Sequence, residues 1–408
     1  MHVVIFEGNR WKAFAPVALA RPIFSLASGA STLLEKQLRY LNPSRVTLWV
    51  RPELAAWTRK YVVPTIKVPA SVNTPLDDEP ALMVNARQLV LGRYRPLCEE
   101  SIILDDEEGT VRSAYVRMPG LLPEDIMQRA GRWMKAFDLP KAEPNGRTAQ
   151  HVWDLVDWND EALVDDSIQF EHQRIAPGPY HVVQEQNVYL GSRVELQPGC
   201  VLDGSKGPIM IGENVLIGAN AVIQGPCSIG ANSLVRPLAF IRPGTTIGPA
   251  CRVGGEISNS IMQANSNKSH EGFLGDSYVG EFVNLGAGTN TSNLKNTYGL
   301  VTVRIGKRSF ETGRRFVGSV IGDHAKTAIG TRLTTGSYVG YGSMIAHSSP
   351  PHFVPSFTFL TDRGSEPYRR EKAIEVMKQV RERRGLGWGQ IEADLVDYVA
   401  KSATEIEA

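Results

Sequence analysis

The feature that most constrains this sequence of 408 residues is a six-residue period in its second half. Aliphatic residues occupy every sixth position without interruption, at Ile211, Ile217, Ile223, Ile229, Val235, Ile241, Ile247 and Val253. A small residue mostly occurs four positions after each of them, as at Ala221 and Ala239. This period fits neither an α-helix nor a single alternating strand. It is typical of a parallel β-helix, in which three hexads form one triangular coil.

The repeat extends from about residue 178 to 346, with runs before and after the central eight positions. We expect loops to leave the coils where the period is irregular, at 205–207, 256–267 and 290–298. Cys200, Cys227 and Cys251 fall in the small inward position, so we interpret them as packing residues and not as redox or metal-binding groups. The fourth cysteine, Cys98, lies outside the repeat.

The remaining sequence predicts an α/β domain at the N-terminal end and helices at the C-terminal end. Apolar runs predict buried strands at Val3–Phe6, Val46–Val50, Ala81–Val84 and Ile102–Leu104. Thr32 and Glu35 form a capping-box pattern for a helix over 32–41. We divide the chain into an α/β domain (1–150), a connecting segment (151–177), a β-helix (178–349) and a helical extension (350–408). Helices at 366–384 and 390–401 are expected to cap the last coil or to brace a neighbouring subunit.

Charge and hydropathy exclude several functional classes. Lys and Arg number 44 against 43 Asp and Glu, so no long-range field favours nucleic acid or an anionic membrane. The first residues lack the pattern of a signal peptide, and no later apolar run is long enough to span a bilayer. These features predict a cytoplasmic protein whose partners are neither nucleic acids nor membranes.

Two polar, glycine-rich segments carry the chemistry. His-Glu-Gly-Phe-Leu-Gly-Asp at 270–276 resembles a His-x-x-Tyr-Leu-Gly-Asp motif, and Asn-Leu-Gly-Ala-Gly-Thr at 284–289 resembles Asn-Ile-Gly-Ala-Gly-Thr. Both motifs, and Arg-Pro-Gly at 242–244, belong to the bifunctional N-acetylglucosamine-1-phosphate uridylyltransferase/glucosamine-1-phosphate acetyltransferase family. Gly-Gly-Glu at 254–256 and Leu-Lys-Asn at 294–296 are more similar to an alternative branch of sugar nucleotidyltransferases. The resemblance covers about residues 180–346 and implies a left-handed β-helix.

The resemblance also implies an acetyl-CoA-dependent N-acetylation of an amino-sugar-1-phosphate, with His270 as the general base. An amine attacks a thioester only when it is neutral, so a base with a pKa near 7 is required, and the oxyanion needs fixed N–H donors. The other implied contacts are Arg242 with the sugar phosphate, Asn284 and Asn293 with sugar hydroxyls, the N–H of Ala287 with the acetyl thioester, and Ser319 with CoA.

The sequence departs from the family at two places. Phe273 replaces a tyrosine and lacks its hydroxyl, and residues 256–260 replace a lysine-rich turn. Lys268 and Lys295 are then the available residues for binding phosphate. The alternative interpretation of His270 is a loop histidine bonded to a carbonyl, and that of Asn284 and Asn293 is a turn asparagine.

The N-terminal domain carries weaker signals. The family's nucleotidyltransferase domains place a glycine-rich phosphate loop after the first strand and a metal-binding Asp after a central strand. Here Gly8 is the single glycine of that loop, and the central strand is followed by Asn85. Arg10 and Arg21 are candidate triphosphate contacts, because guanidinium binds phosphate bidentately, and the alternative interpretation of each is a surface arginine with a local carboxylate partner. The resemblance implies Mg²⁺ without fixing its ligands, for which the candidates are Asp77, Asp105 and Asp106.

Three hypotheses follow. The first is a homotrimeric, bifunctional enzyme of amino-sugar nucleotide biosynthesis, such as that of UDP-N-acetylglucosamine, which acetylates an amino-sugar-1-phosphate and transfers a nucleotidyl group from an NTP to a sugar-1-phosphate. The second is an acetyltransferase, or a binding or regulatory protein, whose nucleotidyltransferase-like domain is inactive, because residues 85–87 contain no Asp. The third is a metal-dependent hydratase of the hexapeptide class, which requires converging histidines; His270, His324 and His347 show no recurring short spacing.

Overall fold

The computed structural model describes residues 1–92, 94–104, 110–124, 139–142, 146–172 and 174–408. Its N-terminal domain is built on a mixed sheet with the strand order β3-β2-β1-β4-β7-β6. These strands are β1 (His2–Phe6), β2 (Arg45–Trp49), β3 (Ala70–Val72), β4 (Ala81–Asn85), β6 (Ser101–Leu104) and β7 (Val111–Val116). The first four are parallel, whereas β7 is antiparallel to β4 and to β6. The four predicted strands are confirmed to within one residue at each end, whereas β3 and β7 were not predicted.

Short elements complete this domain and link it to the repeat. The helices are α1 (Leu33–Leu41), α2 (Ala55–Tyr61), α3 (Val152–Asp157) and α4 (Asn159–Asp166), and a small hairpin pairs β5 (Gln88–Leu89) with β8 (Arg147–Thr148). Single 3₁₀ segments lie at Asn9–Phe14, Ile23–Ser25, Pro52–Leu54, Val63–Thr65, Ser167–Gln169 and Glu185–Asn187. The predicted capping box of α1 is confirmed, because the Thr32 hydroxyl accepts the N–H of Glu35 and the Glu35 carboxylate accepts the N–H of Thr32.

The second half is a three-sided parallel β-helix. Face 1 contains β10 (Val188–Leu190), β13 (Ile209–Ile211), β16 (Cys227–Ile229), β19 (Thr245–Ile247), β22 (Ile261–Met262), β25 (Tyr278–Val279), β29 (Val320–Ile321), β32 (Tyr338–Val339) and β34 (Phe353–Val354). Face 2 contains β11 (Glu195–Leu196), β14 (Leu216–Ile217), β17 (Leu234–Val235), β20 (Arg252–Val253) and β23 (Asn267–Lys268), and it continues through β30 (Lys326–Thr327), β33 (Met344–Ala346) and β35 (Thr358–Thr361), with β36 (Gly364–Pro367) antiparallel at its edge. Face 3 contains β9 (His181–Val183), β12 (Val201–Asp203), β15 (Val222–Gln224), β18 (Phe240–Ile241), β21 (Glu256–Ser258) and β24 (Phe273–Gly275), followed by β26 (Asn290–Thr291) and β31 (Arg332–Leu333).

The inward residues of the period pack as the sequence predicted. Ile211, Ile217 and Ile223 are fully buried in one continuous apolar core. Cys227 and Cys251 are buried free thiols in that core, and burial raises the pKa of each to about 12. Such thiols pack as small apolar groups, because the reactive thiolate is strongly disfavoured.

One predicted loop is wrong, and the other two are confirmed. The segment 256–267 does not leave the β-helix, since it contains β21, β22 and the start of β23, all paired with neighbouring coils. Leu216 pairs with Leu234, a step of 18 residues, whereas Arg252 pairs with Asn267, a step of 15. The irregular spacing is therefore a shortened coil. At 205–207 the coil is lengthened to 21 residues, from Val188 to Ile209, and after β26 the chain leaves to form the hairpin β27 (Thr302–Ile305) and β28 (Arg308–Glu311).

Polar contacts attach face 1 to the N-terminal domain. The guanidinium of Arg21 lies 2.5 Å from carboxylate oxygens of both Glu281 and Asp323, and Arg21 and Asp323 are buried. The Tyr278 hydroxyl bonds both the N–H and the carbonyl of Ala27. These contacts give Arg21 a position between the domains that the sequence did not predict.

The two C-terminal helices, α5 (Arg370–Glu382) and α6 (Gln390–Ile406), contact both halves of the chain. The Glu392 carboxylate in α6 accepts a hydrogen bond from Lys60 at 2.7 Å, and the Tyr398 hydroxyl lies 3.1 Å from Arg51. Met377 in α5 lies against Tyr341 of the β-helix. Both helices therefore pack on their own chain, and the contacts of α6 with the N-terminal domain go beyond the expected cap or brace. The stacked strands continue past the expected boundary at residue 349 to Thr361.

The buried ion pair yields a pH-dependent prediction. Replacing Arg21 by Ala leaves two carboxylates between the domains without a cation, which is expected to cost about 3–5 kcal/mol of unfolding free energy near neutral pH. Burial raises the pKa of Asp323 above its value in the unfolded chain, so protonation stabilises the folded form and the penalty decreases as the pH falls. Denaturant unfolding of Arg21→Ala at pH 8 and pH 5 should show the larger loss at pH 8.

The matched control is Arg45→Ala, since Arg45 also contacts two carboxylates, Asp77 and Glu79, but on the exposed side of the N-terminal sheet. We expect this variant to lose less than about 1 kcal/mol. An equal loss in both variants, or a loss in Arg21→Ala that does not change with pH, would contradict the assignment.

Candidate functional site

The turns between face 2 and face 3 stack into one corner of the β-helix, and the predicted catalytic histidine lies in this stack. The turn that connects β23 to β24 contains His270, and the next turn contains Ala287. The N–H of Gly288 donates to the carbonyl of Glu271 at 3.3 Å, which places the two turns in direct contact. The corner therefore brings together the two segments that the sequence singled out.

The side chain of His270 is available for chemistry. The residue is exposed, and its imidazole forms no hydrogen bond within the described part of the chain. The alternative of a loop histidine bonded to a carbonyl therefore has no support from this geometry. A ligand that reaches the corner can contact either ring nitrogen.

Lys268 fixes the backbone of the His270 turn from inside. Its ammonium group donates to the carbonyls of Gly254 (2.9 Å), His270 (3.1 Å) and Gly272 (2.7 Å). The side chain is buried, and burial lowers its pKa to about 8. Lys268 was predicted as a phosphate ligand, but the structure places its ammonium group against three carbonyls.

Glycine makes this close packing possible. Gly255 has a φ of +69°, and a Cβ at this position would lie 2.6 Å from the carbonyl oxygen of Gly272 and 2.9 Å from the Lys268 Nζ. Only glycine combines that backbone conformation with so close an approach. The shortened coil and the buried lysine therefore depend on this residue.

The second turn presents an unpaired backbone donor. The carbonyl of Ala287 accepts the N–H of Gly330 at 2.7 Å, whereas the N–H of Ala287 has no acceptor among the described residues. Gly286 allows this turn to lie against the next coil, since a Cβ there would be 2.6 Å from the backbone of Ala328. A free N–H in the turn next to the one that carries an exposed imidazole is the kind of donor that a developing oxyanion requires.

Asp276 orients Asn293, one of the residues predicted to bind the sugar. Its two carboxylate oxygens accept hydrogen bonds from Asn293 at 2.5 Å and from Asn259 at 2.7 Å, and burial raises its pKa. Neither Asp276 nor Asn259 was predicted from the sequence as a site residue, although Asp276 is the last residue of the His270 motif. The Phe273 ring lies over Gly275, where a Cβ would approach it to 2.4 Å.

The remaining residues predicted to bind substrate or CoA lie at different places on the β-helix. Arg242 is exposed on face 3 and pairs with Glu256 at 2.9 Å. Asn284 is exposed on face 2, where its amide oxygen accepts a hydrogen bond from Asn267. Lys295 donates to the carbonyl of Leu300 at 2.6 Å. Ser319 is fully buried, so its side chain does not reach a ligand at the surface of this chain.

Three of the four predicted nucleotide-binding residues converge in the N-terminal domain. β1 and β4 are adjacent at the centre of the sheet, and Gly8 and Asn85 are near their carboxyl ends, where ligands bind in open α/β sheets. Arg10 approaches this edge and donates to Gln150 at 2.9 Å, as Arg87 also does at 3.1 Å. Arg21 is the exception, since it lies at face 1.

The described residues do not fit the Mg²⁺ site that the resemblance implies. Asn85 replaces the expected carboxylate, and its side chain bonds the backbone on both sides, at Val111 and Arg87. Asp77 is bonded to Arg45. The described ranges contain no group of three or more His, Cys, Asp or Glu that could hold a metal ion, and Asp105 and Asp106 lie outside them.

The three carbonyl contacts of Lys268 predict that it positions the His270 turn. Replacing Lys268 by Met removes the donor, and we expect backbone amides of residues 269–272 to exchange with deuterium about tenfold faster or more, since charged hydrogen bonds are each worth about 1.5–3 kcal/mol. Hydrogen exchange with mass spectrometry measures this directly. The control, Lys295→Met, removes a single bond in another loop and should leave 269–272 unchanged; equal protection in both variants would contradict the role.

Comparisons with known proteins agree with this architecture. A family model described as sugar nucleotidyl transferase matches residues 3–175, and a model of six bacterial transferase hexapeptide repeats matches residues 208–242. Of the residues the structure describes, no helix combines the length and the apolar character needed to cross a membrane.

The relatives found are bifunctional proteins. The bifunctional protein GlmU of Acidithiobacillus ferrooxidans is 34% identical over 166 residues, which is 40% of this chain and 33% of that protein. GlmU of Syntrophomonas wolfei is 32% identical over 215 residues, which is 52% of this chain and 42% of that protein. The chain thus spans less than half the length of these relatives. The solved structure of a UDP-N-acetylglucosamine acyltransferase from Campylobacter jejuni matches 56% of this chain and 96% of that protein's chain, with 12% sequence identity and a TM-score of 0.27. The chain therefore joins a domain that matches a sugar nucleotidyl transferase family model to a β-helix that matches left-handed hexapeptide repeats, and it is similar in sequence to the bifunctional GlmU proteins.

Proposed function

We propose that the β-helix transfers an acetyl group from acetyl-CoA to the amine of an amino-sugar-1-phosphate, and that the N-terminal domain transfers a nucleotidyl group from an NTP to a sugar-1-phosphate. The observation that carries the acetyl transfer is that the exposed imidazole of His270 and the N–H of Ala287, unpaired among the described residues, belong to two turns in direct contact. The N-terminal activity is supported by the family match over residues 3–175. Four free cysteines, one of them exposed, favour a reducing compartment, and we place the protein in the cytoplasm.

The proposed reaction uses both groups. The neutral sugar amine forms a bond to the thioester carbonyl carbon, and His270 accepts the proton that the nitrogen loses as this bond forms. The N–H of Ala287 stabilises the oxyanion of the tetrahedral intermediate, which breaks down by cleavage of the carbon–sulfur bond as His270 returns that proton to the leaving thiolate, giving the amide and free CoA. The amide of Asn293, which Asp276 orients, is proposed to bind a sugar hydroxyl, and Arg242 to bind the sugar phosphate.

An assay with two substrate sets tests this proposal. The protein is incubated with glucosamine-1-phosphate and acetyl-CoA, and separately with N-acetylglucosamine-1-phosphate, Mg²⁺ and a panel of NTPs. We expect release of free CoA thiol in the first and of pyrophosphate in the second. His270→Ala should lose about 10²–10⁴-fold in acetyl transfer and retain nucleotidyl transfer, because general acid–base catalysis contributes that factor.

His172→Ala is the matched control, since His172 is an exposed histidine near the first coil of the β-helix. It should leave both activities unchanged. Loss of both activities in His270→Ala would indicate a folding defect, and unchanged acetyl transfer would remove His270 from the mechanism.

A second function is favoured by one observation, the replacement of the metal-binding carboxylate by Asn85. In this alternative the N-terminal domain binds a nucleotide without turning it over, and the protein acts as an acetyltransferase or a regulatory protein. Nucleotide binding by calorimetry without pyrophosphate release would support it, whereas pyrophosphate release that depends on the sugar phosphate would exclude it.

We further propose that the protein is a homotrimer whose subunits meet at the corner that contains His270. Leu238 and Ile329 lie in turns of this same corner and are 76% and 78% exposed, on either side of the His270 turn along the stack. Large apolar side chains exposed on one edge are typical of a protein–protein contact. A neighbouring subunit at this edge would close the site against water.

Light scattering after size-exclusion chromatography tests the trimer. The unmodified protein is expected to elute as a trimer, and Ile329→Asp to shift it toward monomers, because a carboxylate is costly to bury in an apolar contact. Ile168→Asp is the control, since Ile168 is 64% exposed but lies before the β-helix. A trimer that withstands Ile329→Asp would place the contact elsewhere.

A further inference from the structure

A basic cavity of about 330 Å³ lies between face 2 and the end of helix α5. Four cationic side chains line it: Arg252 and Lys326 from face 2, and Arg383 and Arg384 from the residues that follow α5. Among the described residues the lining includes no carboxylate, and its other polar residues include Asn267 and Asn284. The cavity therefore concentrates positive charge, and its face 2 wall also carries side-chain amides.

None of these four cations forms an ion pair within the described ranges. Elsewhere in the interior, Arg21, Lys36 and Arg51 each bond a carboxylate. The cavity cations therefore differ from the other interior cations, because a partly buried cation without a counter-ion is unfavourable in a folded protein.

Two of the cations lie in environments that disfavour their charged forms. Within the described part of the chain, Lys326 donates only to the carbonyl of His324, at 3.2 Å, and burial lowers its pKa to about 8. Burial and the positive charges of Arg252 and Arg383 lower the pKa of Arg384. The guanidinium of Arg384 donates to Asn265 and Asn267, but its buried Nε has no partner among the described residues. A bound anion would compensate these charges and accept a hydrogen bond from the Nε of Arg384.

The strand register defines the face 2 side of the cavity. Arg252, Asn267, Asn284 and Lys326 occupy one row across successive coils. Adjacent strands are about 4.8 Å apart, so the two amides lie between two cations. Guanidinium groups bind phosphate oxygens through paired N–H donors, and the amides can bind hydroxyls.

We propose that this basic cavity binds a phosphate monoester and that the residues after α5 supply half of its phosphate contacts. The proposal concerns binding and does not require acetyl transfer, although Asn284 was also predicted to contact a sugar. The phosphate group can come from an amino-sugar phosphate or from free inorganic phosphate, and both present the same dianion to the arginines.

Isothermal titration calorimetry on the full chain tests the proposal, with glucosamine-1-phosphate, inorganic phosphate and glucosamine as probes. We expect the first to bind, glucosamine to show no binding at this site, and each of Arg383→Ser and Lys326→Met to weaken phosphate binding about tenfold or more. Arg363→Ser is the matched control, since Arg363 is also an exposed arginine without a carboxylate partner in the described residues, and it should leave binding unchanged. Inorganic phosphate that binds as tightly as the sugar phosphate identifies free phosphate as the source; tighter sugar phosphate binding identifies the ester.

His270→Ala separates this proposal from the proposed function, because it should lose acetyl transfer and still bind phosphate. The Arg383 side chain forms no hydrogen bond within the described residues, so we expect Arg383→Ser to preserve the fold even where Lys326→Met does not, and an unchanged unfolding midpoint verifies this. The proposal is overturned if no phosphate compound binds, or if Arg383→Ser and a folded Lys326→Met bind as tightly as the unmodified protein.

Discussion

The stacking of coils on an aliphatic column is the constraint on which the rest of this structure depends. Each inward residue, such as Ile223, packs on the equivalent residue of the coil before and the coil after it, and this fixes where every corner turn lies. Consecutive turns at one corner are therefore neighbours, although they are 15 or more residues apart in sequence. The His270 and Ala287 turns are in contact because the coils carry them to the same corner.

The proposed functional features occur where the period is broken. The coil before β23 is shortened, and this brings the carbonyls of Gly254, His270 and Gly272 close enough for the single ammonium group of Lys268 to bond all three. The next long interruption, after β26, carries the hairpin β27–β28, whose flanking Arg314 bonds Asp154 in α3. A regular repeat supplies a rigid scaffold, and departures from it provide the turns that differ from their neighbours.

The two halves of the chain are joined through polar groups that are buried on both sides. Arg21 bonds two carboxylates of face 1, and Asn159 in α4 bonds Gly29 of the N-terminal domain and Gly244 of the β-helix. Such contacts are directional, so they fix the orientation of the N-terminal sheet relative to the coils. The helices α5 and α6 complete this arrangement, and the residues after α5 add two arginines to a wall of the basic cavity.

The sequence by itself determined the coil, the inward packing of three cysteines, four buried strands of the N-terminal domain and the His270 and Ala287 turns, because each follows from a local period or motif. It did not determine the roles of Lys268, Arg21 or Asp276, which depend on groups from other coils or from the other domain. Lys268 was predicted to bind phosphate because it is a lysine near a motif, and only the packing of Gly255 against Gly272 decided that its charge is used on backbone carbonyls. The basic cavity has the same origin: Arg252, Lys326 and Arg384 are far apart in sequence, and their charges meet only where α5 packs against face 2.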